Sequence, residues 1–204
     1  MNIINISMHN KIVLASSSKS RSKILKNAGI DFLQIKPLCD EEKIKKIIKS
    51  KKNKPKQYAK KLSFEKAKSI SVSKKFKNDI VIGCDTIILY KKKIFDKANN
   101  MTEAKNKIKL LSGKKHKIIS AITICKNGKK IWQCEETTFV KIRKMKTKQI
   151  STYLNKAGKK ILESVGCYQI ESLGPTIIEN IDGDFFNVMG LPLFKLNNYL
   201  LKNK

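Results

Sequence analysis

Two β-branched, apolar runs, KIISAITIC (117–125) and KIWQCEETTFVKI (130–142), are separated by a short segment centred on Asn127-Gly128. Asn-Gly between such runs predicts a two-residue turn with both residues at positive φ, the geometry of an antiparallel hairpin. Elsewhere strand-like and helix-like segments alternate. Ile12–Ala15 reads as a short strand, followed by a serine-rich turn and a helix that ends at Gly29, with Ile24 and Leu25 on its apolar side. The lysine-dense stretch from Asp40 predicts a short helix and then a mobile connection. Pro55 suits the first turn of a longer helix reaching about Val72. VIGCDTIILY (81–90) reads as the central buried strand. A capped helix over 102–113, with Ile108 and Leu111 inward, leads into the hairpin. The last third predicts a helix near 147–158, an irregular segment over 163–175, a strand over 176–181, a turn at 182–184 and a terminal helix after Pro192. One hairpin inside an otherwise alternating chain predicts an α/β fold with a mixed sheet covered by helices.

The 204 residues suit one domain able to bury a large core, here a short N-terminal extension over 1–10 and a single domain over 11–204. No apolar run is long enough for a membrane span, and MNIINISMHNK lacks the features of a signal peptide, so a cytoplasmic protein is expected. Cys39, Cys84, Cys125, Cys134 and Cys167 are odd in number and form no C-x-x-C pair, which argues for reduced thiols rather than a disulfide framework or a zinc site. The net charge of +29 attracts polyanions without regard to sequence. Arg21 and Arg143 are the only arginines, however, and the lysines are spread along the whole chain. Arginine is the residue suited to bidentate phosphate and base recognition, so the composition favours a solvated lysine surface over a nucleic-acid interface.

Against this background Asp85 stands out, because a carboxylate in a buried strand needs a cation beside it or a task. Lys66 shares one helical face with Leu62 and Ile70, so it lies on the inward stripe, where it either meets a partner or snorkels to water. LASSSKSR (14–21) joins a strand end to a helix start through small hydroxyl residues and a basic side chain. Backbone N–H groups, Ser16, Ser18 and Arg21 suit a phosphate there, although serines in that position also serve simply as helix caps. Glu41 and Asp85 could share a hard divalent cation such as Mg²⁺, while Lys66 and Lys97 add positive charge, the mixture that phosphoryl chemistry needs.

These segments resemble the motifs of the Maf family of nucleotide pyrophosphatases from about Ile12 to Leu200. LASSSKSR is similar to L-A-S-x-S-P-R-R, LSFEKA to L-A-x-x-K-A, VIGCDTIIL to V-I-G-A-D-T-V-V, IFDKANN to I-L-G-K-P, LLSGKKHKI to L-S-G-x-x-H-x-V and MGLPL to V-G-L-P-L, in the same order. The resemblance implies an elongated mixed β-sheet flanked by helices, in two lobes with an active-site cleft between them. It implies hydrolysis of a nucleoside triphosphate, canonical or modified, to monophosphate and pyrophosphate, with Mg²⁺ or Mn²⁺ as cofactor, often in a homodimer, and with a link to cell division. Carried over by position, Ser16, Ser18 and Arg21 hold phosphate, Glu41 and Asp85 hold metal, Asp85 deprotonates water, and Lys66 and Lys97 bind the phosphate chain.

The chain also departs from the family pattern. Lys19 and Ser20 replace Pro and the first Arg, and Ala98 replaces the Pro after the lysine. Glu171 stands where many members have Gln, and Glu171-Ser172-Leu173-Gly174 is nearer to the E-G-L-G form of members associated with 7-methylguanosine triphosphate. This gives Glu171 an expected part in substrate choice. His116 is expected to be structural, Trp132 and Phe139 to serve core or interface, and Phe185 and Phe186 to close the sheet near the terminal helix. Two other readings remain open at this point: a basic nucleic-acid-binding protein, and a non-catalytic nucleotide-binding division regulator.

Overall fold

The computed structural model describes residues 11–50 and 55–203. In chain order the elements are β1 (Ile12–Ala15), α1 (Lys19–Asn27), β2 (Leu33–Ile35), α2 (Glu41–Ser50), α3 (Pro55–Ser71), β3 (Ile80–Tyr90), β4 (Lys93–Phe95), α4 (Met101–Leu111), β5 (Lys115–Lys126), β6 (Lys129–Ile142), α5 (Thr147–Ala157), β7 (Ile178–Asp182), α6 (Phe185–Val188) and α7 (Leu193–Lys202). Two short 3₁₀ turns, Lys159–Glu163 and Gly174–Thr176, lie between α5 and β7. The N-terminal extension and the connection after α2, expected to be mobile, fall outside the described residues.

The described strands form a seven-stranded mixed sheet in the order β2-β1-β3-β5-β6-β7, with β4 paired to β3. β1 is parallel to both β2 and β3, whereas β3 with β4 and β6 with β7 are antiparallel. The expected hairpin joins β5 to β6, with Asn127 at φ 49° and Gly128 at φ 71°. Three short elements were not foreseen. β2 and β4 have three residues each, too few to display an alternating pattern, and in β2 both Leu33 and Gln34 are exposed. Phe185 and Phe186 do not join the sheet; they begin the four-residue helix α6, whose start is capped by Asp184.

The chain divides into two compact units. One comprises residues up to Thr86, Ser120–Glu136 and the segment from Gly190 onward; the other comprises Ile87–Ile119 and Thr137–Met189. In the first unit β1 is a fully buried strand, and α3 packs Ala67 and Ile70 against Val13, Ala15 and Val81. The close approach of α3 to β3 depends on Gly83. A Cβ there would lie 2.2 Å from the Ser63 carbonyl oxygen and 2.6 Å from the Ala67 backbone nitrogen. Side chains alternate along a strand, so Val81, Gly83 and Asp85 share the face toward α3. The chain leaves β1 toward β2 on one side and returns to β3 on the other. In open α/β sheets such a reversal of strand order, at the carboxyl end of a parallel strand, is the usual place for a ligand.

The second unit has its own apolar core, in which Ile108 and Leu111 of α4, Ile118 of β5, Val140 of β6 and Ile150 of α5 are all nearly inaccessible. His116 lies within it, 2 % exposed and hydrogen-bonded to the Tyr168 hydroxyl. All five cysteines are free thiols. Among the described residues no helix is long and apolar enough to cross a membrane.

Candidate functional site

Beyond the end of β1 the chain turns sharply. The register pairs Ala15 with Gly83, so Ser16 emerges beside the stretch of β3 that leads to Asp85 and Thr86. Ser18 caps α1, its hydroxyl accepting from the Arg21 backbone N–H at 3.3 Å. The Ser16 hydroxyl accepts from the Ser18 N–H at 3.2 Å and from Arg21 Nη1 at 3.3 Å. Both hydroxyls therefore act as acceptors inside the loop, and each keeps its own proton to offer to an anion. Gln34 on β2 steadies the turn by donating to the Ser16 carbonyl at 2.8 Å.

Arg21 is tied at three points. Nε donates to the Gly190 carbonyl at 2.8 Å, Nη1 to Ser16 and Nη2 to the Thr86 hydroxyl at 3.0 Å. These contacts leave one N–H on each terminal nitrogen, the pair that a guanidinium presents to a phosphate. The loop, the start of α1 and Arg21 thus form a cationic, donor-rich cradle.

Beside it lies a compact charge cluster. Lys66 Nζ is 2.7 Å from Asp85 Oδ1 and 2.9 Å from Glu41 Oε2. Lys66 is 6 % exposed and Asp85 8 %. Lys66 does not snorkel: it is the cation that permits a carboxylate in a buried strand, and α3 delivers it because Gly83 admits the helix backbone. Burial disfavours the ammonium, but Asp85 and Glu41 outweigh both burial and the repulsion from Arg21, and the Lys66 pKa is raised. Burial likewise works against the Glu41 carboxylate, yet the Lys66 ammonium, reinforced by Lys45 and Arg21, holds its pKa below the usual value. The cluster thus sets two acidic side chains around one lysine. Nearby Cys39 has its thiol pKa pushed up, first by burial and then by Glu41, and stays protonated.

Glu41 and Asp85 are the residues here that could hold a divalent cation. Among the described residues no three His, Cys, Asp or Glu side chains converge as a closed metal site. A Mg²⁺ ion commonly takes only one or two carboxylates and completes its shell with water and substrate phosphates. Two carboxylates next to a cationic, donor-rich loop fit an ion of that kind.

Six of the eight residues singled out in the sequence, Ser16, Ser18, Arg21, Glu41, Lys66 and Asp85, therefore stand together in the first unit. Lys97 and Glu171 belong to the second unit. Lys97 lies exposed in the loop after β4, whose Asp96 carbonyl accepts from Lys107. Lys107 also donates to the Val165 carbonyl at 3.0 Å. Glu171 is half-buried in the turn before Gly174. Thr86, Gly190 and Gln34 were not anticipated. Thr86 and Gly190 lay inside the quoted segments VIGCDTIIL and MGLPL, but their meeting across 104 positions has no local signature.

Comparison with known proteins gives the same direction. A family model described as Maf-like protein matches residues 11–203. The chain is 41% identical to the 7-methyl-GTP pyrophosphatase of Bartonella quintana, over 93% of each chain. It is 36% identical to the 7-methyl-GTP pyrophosphatase of Brucella abortus, over 95% of this chain and 96% of the relative. It is 34% identical to the nucleoside triphosphate pyrophosphatase of Caulobacter vibrioides, over 93% and 94% respectively. With a family model and relatives that cover nearly its whole length, this chain belongs to the Maf family.

Proposed function

We propose that the protein is a nucleoside triphosphate pyrophosphatase, cleaving a triphosphate between its α and β phosphorus atoms to give a monophosphate and pyrophosphate. The observation that carries this reading is the meeting of a cationic, donor-rich loop (Ser16, Ser18, Arg21) with the Glu41–Lys66–Asp85 cluster beside the end of β1. The names of the relatives support it. They also make 7-methyl-GTP the first substrate to test, with Glu171 as the side chain expected to influence base choice.

The residues divide the work as follows. The hydroxyl protons of Ser16 and Ser18 and the remaining Arg21 N–H groups grip phosphate oxygens; for Lys97 a part in binding the phosphate chain rests on the family resemblance alone. Lys66 fixes Asp85 through Oδ1. Asp85 then takes a proton from the attacking water at its other oxygen. The water oxygen bonds to the α phosphorus as the bond from that phosphorus to the α–β bridging oxygen breaks, and pyrophosphate leaves with the bridging oxygen. A Mg²⁺ or Mn²⁺ ion held by Glu41 and Asp85 would supply charge neutralisation on the phosphates. The resemblance further supports a homodimer in the cytoplasm, the first of which sizing with light scattering checks.

Purified protein incubated with Mg²⁺ or Mn²⁺ and a panel of ordinary and modified triphosphates tests the reading. Monophosphate and pyrophosphate in equal amounts are expected, with loss of turnover on chelation. Diphosphate and inorganic phosphate as products, or no turnover of any triphosphate, would overturn it.

A further inference from the structure

Resting on the pyrophosphatase reading, we propose that Thr86 is a positioning residue for Arg21, acting together with the Gly190 carbonyl. Thr86 follows Asp85 on β3, and alternation along the strand turns it to the opposite face. There its hydroxyl lies 3.0 Å from Arg21 Nη2, 2.8 Å from the Ser120 hydroxyl and 3.2 Å from the Gly190 carbonyl oxygen.

Proton counting fixes the direction of these bonds. A guanidinium can only donate and a carbonyl can only accept. All contacts are satisfied at once when Arg21 and Ser120 donate to Thr86 Oγ1 and Thr86 donates its single proton to Gly190. The Gly190 carbonyl also accepts from Arg21 Nε at 2.8 Å and from the Cys84 thiol at 3.1 Å. Thr86 and Gly190 thus grip adjacent nitrogens of the guanidinium, and Ser120 aligns Thr86.

Gly190 is itself constrained. Its φ of +101° lies where an L side chain is strained, and a Cβ would stand 3.4 Å from Thr86 Oγ1 and 3.7 Å from Arg21 Nε. A side chain would have room there, so it is the positive φ that calls for glycine, and that backbone turn brings the carbonyl into the cradle. Arg21 is long, with several rotatable bonds, and grips an anion well only when that freedom is already spent. In this scheme Thr86 touches no substrate; it acts through Arg21 alone.

A double-mutant cycle tests this, because it isolates the coupling between two residues. Wild type, Thr86→Val, Arg21→Ala and the double variant are compared in hydrolysis of the best triphosphate, and in calorimetric binding of inorganic tripolyphosphate. Valine keeps the shape of threonine and removes the hydroxyl. Thr86→Val should raise KM and the tripolyphosphate Kd by about tenfold, as expected for loss of a hydrogen bond to a charged group, with kcat changed by less than about twofold. Thr86→Ser should restore binding. In the Arg21→Ala background Thr86→Val should add nothing further. Equal effects in both backgrounds, no effect of Thr86→Val on binding, or a failure of Thr86→Ser to restore it would overturn the proposal. Any general loss of stability from the valine is common to both arms of the cycle and cancels. A wild type that turns over no triphosphate would count against the pyrophosphatase reading, while the tripolyphosphate cycle would still judge Thr86.

Discussion

Lys66 pairs with Asp85 at 2.7 Å and Glu41 at 2.9 Å, so its removal takes the shared cation from two carboxyl groups, one of them buried. Lys66→Met should destabilise the protein by roughly 3–5 kcal/mol, mainly through the buried Asp85, because Glu41 is partly in water. Asp85→Asn should be milder for the fold, since Lys66 keeps Glu41. Its turnover should nevertheless fall by ~10²-fold or more, the usual worth of general acid–base catalysis. Thermal unfolding and single-turnover hydrolysis of the two variants check both statements. A Lys66→Met protein as stable as wild type, or an Asp85→Asn protein with near-normal turnover, would contradict them. His116 makes a separate prediction. Burial lowers its pKa from 6.5 to about 4, so the folded state holds the neutral ring while the unfolded state gains a proton first. The stability this contributes is complete above pH 6.5 and is lost as the pH falls toward about 4, below which it changes no further. The total is about 3 kcal/mol by linkage. Urea unfolding at pH 7 and pH 5 should show a smaller difference for His116→Gln than for wild type.

At the scale of elements, the contact of α3 with β3 is the one that brings Lys66 to Asp85, and it has no room to spare. Gly83→Ala would push a methyl group into the Ser63 and Ala67 backbone, which cannot rotate aside. A destabilisation of roughly 1–3 kcal/mol or more is expected for such overpacking. Activity should fall further than stability alone requires, measured as turnover at a temperature where the variant remains folded. The long elements were legible in the sequence because each carries its own signal: apolar, β-branched runs in β3, β5 and β6, Pro55 opening α3, Gly29 and Gly113 ending helices, and Asn127-Gly128 in the turn. β2 and β4 were not, since three residues show no period and their pairing is decided by neighbours. The same distinction applies to the site. Asp85 and Lys66 could be read as charges on apolar faces, and Ser16, Ser18 and Arg21 as a strand-to-helix turn. Thr86 and Gln34 are ordinary strand residues until Gly190 or the Ser16 carbonyl arrives from a distant segment.

For the whole molecule, 45 lysines and arginines against 16 acidic residues mean that folding gathers like charges together. Salt screens that repulsion. The midpoint of thermal unfolding should therefore rise when sodium chloride is raised from ~10 mM to ~300 mM, over which the screening length shortens from about 30 Å to well under 10 Å. An unchanged or lower midpoint would mean that ion pairs such as Lys60–Glu135 and Lys195–Glu136 outweigh the repulsion. The first unit also has a distinctive order of assembly along the chain. Arg21, Glu41, Lys66, Asp85 and Thr86 all come from the first 86 residues, yet the carbonyl that anchors Arg21 is supplied by Gly190. During synthesis, the arginine can be locked in place only when the residue 169 positions after it has been made. A chain cut short at Met189 would carry every charged group of the cluster and still lack the anchor, so the cradle is held together from a segment made long after the residues it orders.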